Sequence, residues 1–314
     1  MTLPLAPPIV PQLARARAEL PAEDGWVFEQ KFDGFRALAF VDGDEAALQS
    51  RAGKPLDRYF PELRFPPGRY VLDGEIVIDG ADGLQDFDAL SQRIHPAASR
   101  IERLAVETPA RFVAFDLLAL GDEVLMERPY AERRAILESV VAAPVQLAPS
   151  VRSAAEAEGW LHSAEGVVAK LLDAPYQPGK RTAMVKVKRV RTIDCVVVGW
   201  RPGKEQHTVG SLILGLYNAA GTVQVVGHTS GLGGAEKRAL VERLAPYESG
   251  ERGSAEPSRW NSDKDLEWVA LRPELVVEIS YEQVSGERIR HGTKLLRWRE
   301  DKSPRECGID QLRS

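Results

Sequence analysis

Cysteine is almost missing from this chain: Cys195 and Cys307 are the only two in 314 residues. Their scarcity and separation argue against a disulfide framework or a zinc site and fit a reducing cytoplasm. The five histidines (His95, His162, His207, His228 and His291) show no metal-ligand spacing. No uninterrupted apolar run approaches the ~20 residues of a membrane helix, so no membrane partner is expected. The first twenty residues have no basic stretch ahead of their apolar ones and are broken by prolines, so they do not read as a signal peptide. Neither a Walker-type phosphate loop nor GxGxxG occurs, and any phosphate would have to be held by side chains.

What is present suits a soluble globular protein: 44% hydrophobic and 28% charged residues, in a length that implies two domains. The formal net charge of −5 argues at first against a polyanionic partner, but the charge is uneven. Arg181 to Lys204 holds seven basic residues against one acidic, and Arg288 to Arg305 seven against two. A local basic face matters more to a polyanion than the whole-chain sum.

The first half alternates strand-like segments (WVFEQKFD, RALAFVDG, AALQSR, YVLDGEIVI, RFVAFDLLAL, GVVAKLL, MVKVKRV) with helix-like ones. The expected helices are LQDFDALSQRI, YAERRAILESVVA and SAAEAEGWLHS; the second repeats apolar residues at helical intervals. This mixture predicts an α+β fold of antiparallel sheets with flanking helices over residues 1–190. Beyond, five short β segments and one helix, AEKRALVERLAP, predict a small Greek-key barrel of the OB type over 191–314. The stretch YESGERGSAEPS reads as a loop.

Several strands carry charge where a structural strand would be apolar. In EQKFDGFR, the alternation of a strand places Glu29, Lys31 and Asp33 on one face, with Phe28 and Phe32 opposite. VLDGEIVI sets Asp73 and Glu75 around Gly74, EGVVAK has Glu165 and Lys170 at its ends, and MVKVKRV puts Lys186 and Lys188 together. SRAGK holds Arg51 and Lys54 around a glycine turn. A solvated strand edge accounts for any one of these. Their number and mixed sign point to a site for a nucleoside triphosphate and its metal.

Lys31-Phe-Asp33-Gly34-Phe-Arg36 resembles motif I (KxDGxR) of the covalent nucleotidyltransferases, the superfamily of ATP-dependent DNA ligases, RNA ligases and mRNA capping enzymes. Ser50-Arg51-x-Gly53-Lys54 resembles motif Ia, Asp73-Gly74-Glu75 motif III, and Phe112-x-x-Phe115-Asp116-Leu117-Leu118 motif IIIa. Glu165-Gly166-Val-Val-Ala-Lys170 resembles motif IV, Lys186-Val-Lys188 motif V, and Arg297-Trp-Arg299-Glu-Asp301-Lys302 motif VI. A lone KxDG is common by chance; seven motifs in family order are not. FDLL and EGVVAK are the DNA-ligase forms, and the chain is most similar to small bacterial ligases of the ligase C type. Many DNA ligases begin motif VI with an RFPRF-like run, where this chain reads RHGTKLLRW.

The resemblance implies a nucleotidyltransferase (adenylation) domain followed by an OB domain, and a DNA ligase that uses ATP. Lys31 would attack the α-phosphate, AMP would pass to the 5′-phosphate of a nick, and the 3′-hydroxyl would displace it. Arg36 and Arg51 would contact AMP or the nick phosphate, Glu75 the ribose, and Phe115 the adenine, with Glu29 also in the nucleotide site. Asp33 is implied as a ribose or metal-shell residue, and Glu165 as the ligand of magnesium or manganese. Lys186 and Lys188 would bind the α-phosphate; Arg297, Arg299, Asp301 and Lys302 would orient the pyrophosphate. A lysine nucleophile must be neutral, against an ordinary pKa of ~10.4, and Glu29 and Asp33 beside Lys31 work against that. The expectation is that Lys186, Lys188 and the metal outweigh them. The expected partners are nicked duplex DNA and a repair polymerase or end-binding protein, with the enzyme itself a monomer. About thirty residues precede motif I, too few for a separate DNA-binding domain there. The alternatives are an RNA ligase, a capping-type guanylyltransferase, and a non-catalytic nucleic-acid-binding protein.

Overall fold

The computed structural model describes residues 2–81, 83–95, 97–189, 191–229, 231–254, 267–282, 284–289 and 293–313. It divides into two compact units, Met1–Arg189 and Val190–Ser314.

The first unit carries strands β1 (Arg15–Ala16), β2 (Trp26–Gln30), β3 (Phe35–Gly43), β4 (Glu45–Ser50), β5 (Gly68–Val77) and β6 (Arg111–Leu120). It continues with β7 (Glu123–Val124), β8 (Gln146–Leu147), β9 (Ser150–Val151), β10 (Gly166–Leu171) and β11 (Met184–Lys188). One sheet runs β4-β3-β5-β6-β7, with β8 beside β6, and the other runs β1-β11-β10-β2-β9. The helices are α1 (Phe87–Gln92), α2 (Ala98–Glu107), α3 (Tyr130–Val140), α4 (Ala154–Ala157) and α5 (Trp160–Ser163).

β3 is a nearly continuous apolar run because both its faces are covered. Ala37, Ala39 and Val41 pack with Leu72, Ile76 and Phe112, whereas Leu38 and Phe40 pack with Val71, Leu118 and Tyr176. The second sheet is two-faced instead. Phe28, Val167, Ala169 and Val185 join Ala157 and Trp160 in an apolar cluster. Strand alternation then sends Glu29, Val168, Lys170, Lys186 and Lys188 to the other side.

Three local expectations change. The strand expected over WVFEQKFD stops at Gln30, because its neighbour β10 begins at Gly166. The Lys31 N–H still donates to the Gly166 carbonyl at 3.0 Å, but the Asp33 N–H has turned to the Gln85 side chain at 2.5 Å. The helix expected over SAAEAEGWLHS is two short helices meeting at Glu158-Gly159, since glycine is a poor helix former. Helix α2 is not among the expected helices, although its buried residues Ile101 and Leu104 stand three apart at helical spacing.

The second unit holds β12 (Arg191–Pro202), β13 (Val209–Tyr217), β14 (Val223–His228), β15 (Glu248–Ser254), β16 (Glu267–Tyr281), β17 (Val284–Ser285), β18 (Arg288–Ile289) and β19 (Lys294–Trp298), with helix α6 (Gly234–Leu244). Its main sheet is antiparallel in the order β14-β13-β12-β16-β15, with β19 on β16. Register shifts interrupt every one of these pairings, and bulges of this kind bend and twist a sheet so that it curls. Val196, Leu212, Leu214, Val277 and Ile279 form the core with Leu240 and Leu244 of α6. Cys195 and Cys307 are both free and buried within it.

The expected loop YESGERGSAEPS is corrected in part, because Glu248–Ser254 is a strand; residues 255–258 lie outside the described residues. Its apolar content is low because it gains its place through main-chain pairing with β16. Gly253 is needed there: a Cβ would stand 2.1 Å from the Trp268 indole nitrogen.

Candidate active site

The polar face of the β2–β10–β11 sheet lines a cleft of about 600 Å³ in the first unit. Pairing register sets its chemistry. Glu29, Val168 and Lys186 stand opposite one another across the three strands, and paired residues point to the same face. In the next row Gly166 pairs with Lys188 and accepts the Lys31 N–H, so the two lysines flank a residue without a side chain. Gly166 has φ of 131°, and a Cβ there would stand 2.2 Å from the Val187 carbonyl oxygen. Only glycine fits, which gives the EG of EGVVAK its physical reason.

The facing wall comes from β3, β5 and β6. Arg36 pairs in register with Glu75 and lies diagonal to Asp73. Its guanidinium donates to the Asp73 carboxylate at 3.0 and 2.6 Å and to the Gln12 carbonyl at 2.5 Å. Asp73 is fully buried and also accepts from the Tyr176 hydroxyl at 2.7 Å. Burial opposes the Arg36 charge, but Asp73 outweighs it and raises the pKa. Three of the five guanidinium donors are thus engaged in the frame. Gly34 lets β3 start against β5, since a Cβ there would meet the Ile76 carbonyl at 2.2 Å. The Glu75 carboxyl is raised to about 7 by burial, against the opposing pull of Lys31 and Arg36.

Lys31, Glu29, Arg36, Arg51, Glu75, Phe115, Lys186 and Lys188 all line this cleft. With Lys170 and Arg181 also on its walls, seven cations face two carboxylates, a balance that favours a polyphosphate. The Lys31 ammonium donates to the Phe32 carbonyl at 3.1 Å, and Arg51 is exposed. The Phe115 ring has the Arg36 guanidinium 5.4 Å and the Lys170 ammonium 4.7 Å from its centre. Glu165 and Asp33 are not among the cleft-lining residues; Glu165 stands one residue before Gly166, half-buried.

No group of three or more His, Cys, Asp or Glu side chains is arranged to hold a metal among the described residues. The Glu165 carboxylate, just before the start of β10, is of the ligand type that suits a magnesium ion arriving with phosphate oxygens and keeping its waters.

The motif VI residues form their own cluster in the second unit. Arg299 donates to Asp194 at 3.0 and 2.9 Å and to Asp301 at 2.9 Å, and Lys302 donates to Asp194 at 2.8 Å. The Arg299 hydrogen bond holds Asp301 down at about 2, and the bond to Asp194 raises Lys302. Arg297 pairs with Glu278 at 2.5 Å. Of the run expected upstream, Arg290 to Gly292 lie outside the described residues.

Sequence reasoning passed over the donors behind the cleft. Tyr130, Arg133 and Arg134 occupy one face of α3 at i, i+3 and i+4. Tyr130 donates to Glu29, Arg134 to Glu29 at 3.3 Å, and Arg133 to Asp116 at 2.8 and 3.0 Å. Two arginines and a tyrosine on the inward face of a helix were the available signal.

This fold and site define a covalent nucleotidyltransferase carrying an OB domain. Residues 9–188 match the ATP dependent DNA ligase domain and residues 205–302 the ATP dependent DNA ligase C terminal region. The chain belongs to the ATP-dependent DNA ligase family. It is 47% identical to DNA ligase C1 of Mycolicibacterium smegmatis, over 99% of this chain and 96% of that protein. Against DNA ligase C of Mycobacterium tuberculosis the identity is 43%, over 99% and 96%. A solved structure of mycobacterial DNA ligase D complexed with ATP and MES is similar, with a TM-score of 0.54 and 30% identity over 95% of this chain and 97% of that one.

Proposed function

We propose that this ligase seals nicks in duplex DNA by three phosphoryl transfers, with Lys31 as nucleophile. The observation that carries the reading is the pair of in-register rows, Glu29–Val168–Lys186 and Lys31–Gly166–Lys188, on one wall of the cleft. The Lys31 amine attacks the α-phosphorus of ATP, a P–N bond forms, and pyrophosphate leaves. The AMP then moves to the 5′-phosphate of the nick, and the 3′-hydroxyl displaces it.

Lys186 and Lys188 lie on the strand beyond Gly166, where they bind the α-phosphate and stabilise charge that develops during transfer. Phe115 holds the face of the adenine and Glu75 the ribose. Glu29 accepts from the adenine edge, because a carboxylate is acceptor-only and adenine offers an amino group where guanine offers a carbonyl. Arg51 and the free donors of Arg36 meet phosphate oxygens. Glu165 holds magnesium or manganese, which when bound neutralises phosphate charge, and Asp33 supports the ribose or the metal shell. Arg297, Arg299, Asp301 and Lys302 orient the pyrophosphate.

Residues 1–190 form the adenylation domain and 191–314 the OB domain. The enzyme acts as a monomer in the cytoplasm. No helix among the described residues is long and apolar enough to cross a membrane. Its setting is DNA repair, beside a repair polymerase or end-binding protein. That setting is supported by 32% identity to the multifunctional non-homologous end joining DNA repair protein LigD, of which this chain covers 37%.

Incubation with α-labelled ATP, GTP and NAD tests the reading directly. ATP alone should leave a covalent label, Lys31→Ala should leave none, and the wild type should join a nicked DNA duplex. Label retained by Lys31→Ala would remove the mechanism.

A further inference from the structure

Residues Lys31 to Gly34 carry the chain from one sheet of the first unit to the other, since β2 belongs to one and β3 to the other. The proposed nucleophile is the first residue of this crossing. Both of its ends are fixed by the main chain. The Lys31 N–H donates to the Gly166 carbonyl at 3.0 Å, and Gly34 is packed against the Ile76 carbonyl too closely for any Cβ. Between them the Asp33 N–H has a side chain for its acceptor, the amide oxygen of Gln85, at 2.5 Å.

Gln85 belongs to the turn between β5 and α1, which is itself held in place. The Asp86 N–H donates to the Ile78 carbonyl at 2.8 Å, and the Gly80 N–H to the Leu84 carbonyl at 2.6 Å. Asp79 and Gln85 stand opposite each other in a single β-bridge. The Asp86 side chain caps α1 by accepting from the Ala89 N–H at 2.8 Å. Arg111 on β6 adds a second tie. It donates to Asp79 at 2.5 and 2.7 Å, while its guanidinium lies 6.0 Å from the centre of the Phe32 ring. The turn thus holds the crossing twice, at the Asp33 main chain and, through Arg111, at the Phe32 ring. Gln85, Asp79 and Arg111 are not among the cleft-lining residues, so this support acts from outside the nucleotide site.

We infer that Gln85 is a positioning residue for the nucleophile: its amide fixes the main chain of the crossing and thereby the line along which the Lys31 amine meets the α-phosphate. This deepens the proposed reading of the cleft and rests on it. Asp33 is half-buried, so its N–H, once deprived of Gln85, turns to find another acceptor. Such a turn rotates the peptides on either side of Phe32 and carries Lys31 with them. A shift of about 1 Å in a reacting group can cost about 10²-fold in rate.

The test follows two steps separately in the full chain, for wild type, Gln85→Leu and Gln85→Glu. Lysyl-AMP formation is read from single-turnover labelling with α-labelled ATP. Sealing is read on a nicked duplex that already carries AMP on its 5′-phosphate, where the Lys31 amine attacks nothing. For Gln85→Leu the labelling rate at saturating ATP should fall about tenfold or more, while the half-saturating ATP concentration stays within about threefold, the pattern of an interaction lost in the transition state. Its sealing rate should also stay within about threefold of wild type. Gln85→Glu, whose carboxylate accepts from the same N–H, should recover most of the labelling rate. An unchanged labelling rate in Gln85→Leu overturns the inference. So do equal losses in both steps, the mark of a merely structural role, and so does a Gln85→Glu enzyme as slow as Gln85→Leu. Should Gln85→Leu not fold, Gln85→Ala takes its place under the same criteria. Wild type that takes no label from ATP, or Lys31→Ala that retains it, would instead remove the underlying reading of Lys31 as nucleophile.

Discussion

In the first unit Asp73, Glu29 and Asp116 are 0%, 2% and 3% exposed, and each is held by an arginine or lysine. In the second unit motif VI is mixed: Arg297 and Asp301 face water at 63% and 66% exposed, whereas Arg299 and Lys302, at 19% and 22%, hold the mostly buried Asp194. The difference is one of consequence. Removing one partner of a buried pair leaves a charge with no solvent to compensate it, so the pair has a single geometry. An exposed pair contributes little and its members exchange partners readily. The first unit therefore carries a fixed frame for the nucleotide. The second carries at least one exposed cation, Arg297, whose pairing with Glu278 water can compete with.

The largest effect that would break this contrast is on stability. Asp116→Leu should cost about 3–5 kcal/mol by stranding Arg133, read as a drop in the urea midpoint. Adding Arg133→Met should recover most of it, since an apolar pair can replace a buried ionic one. A double variant no more stable than the single would show that the frame is not an isolated pair. Gly166→Ala should cost about 1–3 kcal/mol through overpacking and should also suppress lysyl-AMP formation, because the clash moves Lys188 relative to Lys31.

A smaller effect is expected with pH. The Glu75 carboxyl has an ordinary value of 4.5 and is raised in the fold to about 7, mainly by burial. Below pH 4.5 it is protonated in both folded and unfolded chains and imposes no penalty. As pH rises towards 7 the unfolded chain has released the proton while the folded one retains it, so stability declines through that window. Glu75→Gln should flatten this part of the thermal-denaturation profile; parallel profiles for the two proteins would contradict it. The smallest effect should come from Arg297→Ala, whose change in stability should lie within about 0.5 kcal/mol even as self-adenylation slows. A large fall in melting temperature would erase the contrast between the units.

Much of the site was legible because its chemistry is written in local order. The alternation in MVKVKRV and the glycine in EGVVAK placed charges on one strand face, and KFDGFR gave the family resemblance before any contact was known. Helix α3 shows where such reading stops. Its apolar spacing was visible, but the tasks of Tyr130, Arg133 and Arg134 depend on carboxylates 15 or more residues away in sequence. Strand β15 was read as a loop because an edge strand can be held by main-chain bonds, which leave no side-chain pattern.

The sequence by itself determined the basic and acidic residue types and the order in which they occur, since local spacing specifies these, and its resemblance to the family singled out Lys31 as the proposed nucleophile. Only the tertiary structure decided which of them meet. Register put Lys31 beside Lys188 across Gly166, burial tied Arg36 to Asp73, and the approach of two sheets set Lys170 between Glu29 and Phe115. Those partners are remote along the chain, and only packing and desolvation select among them.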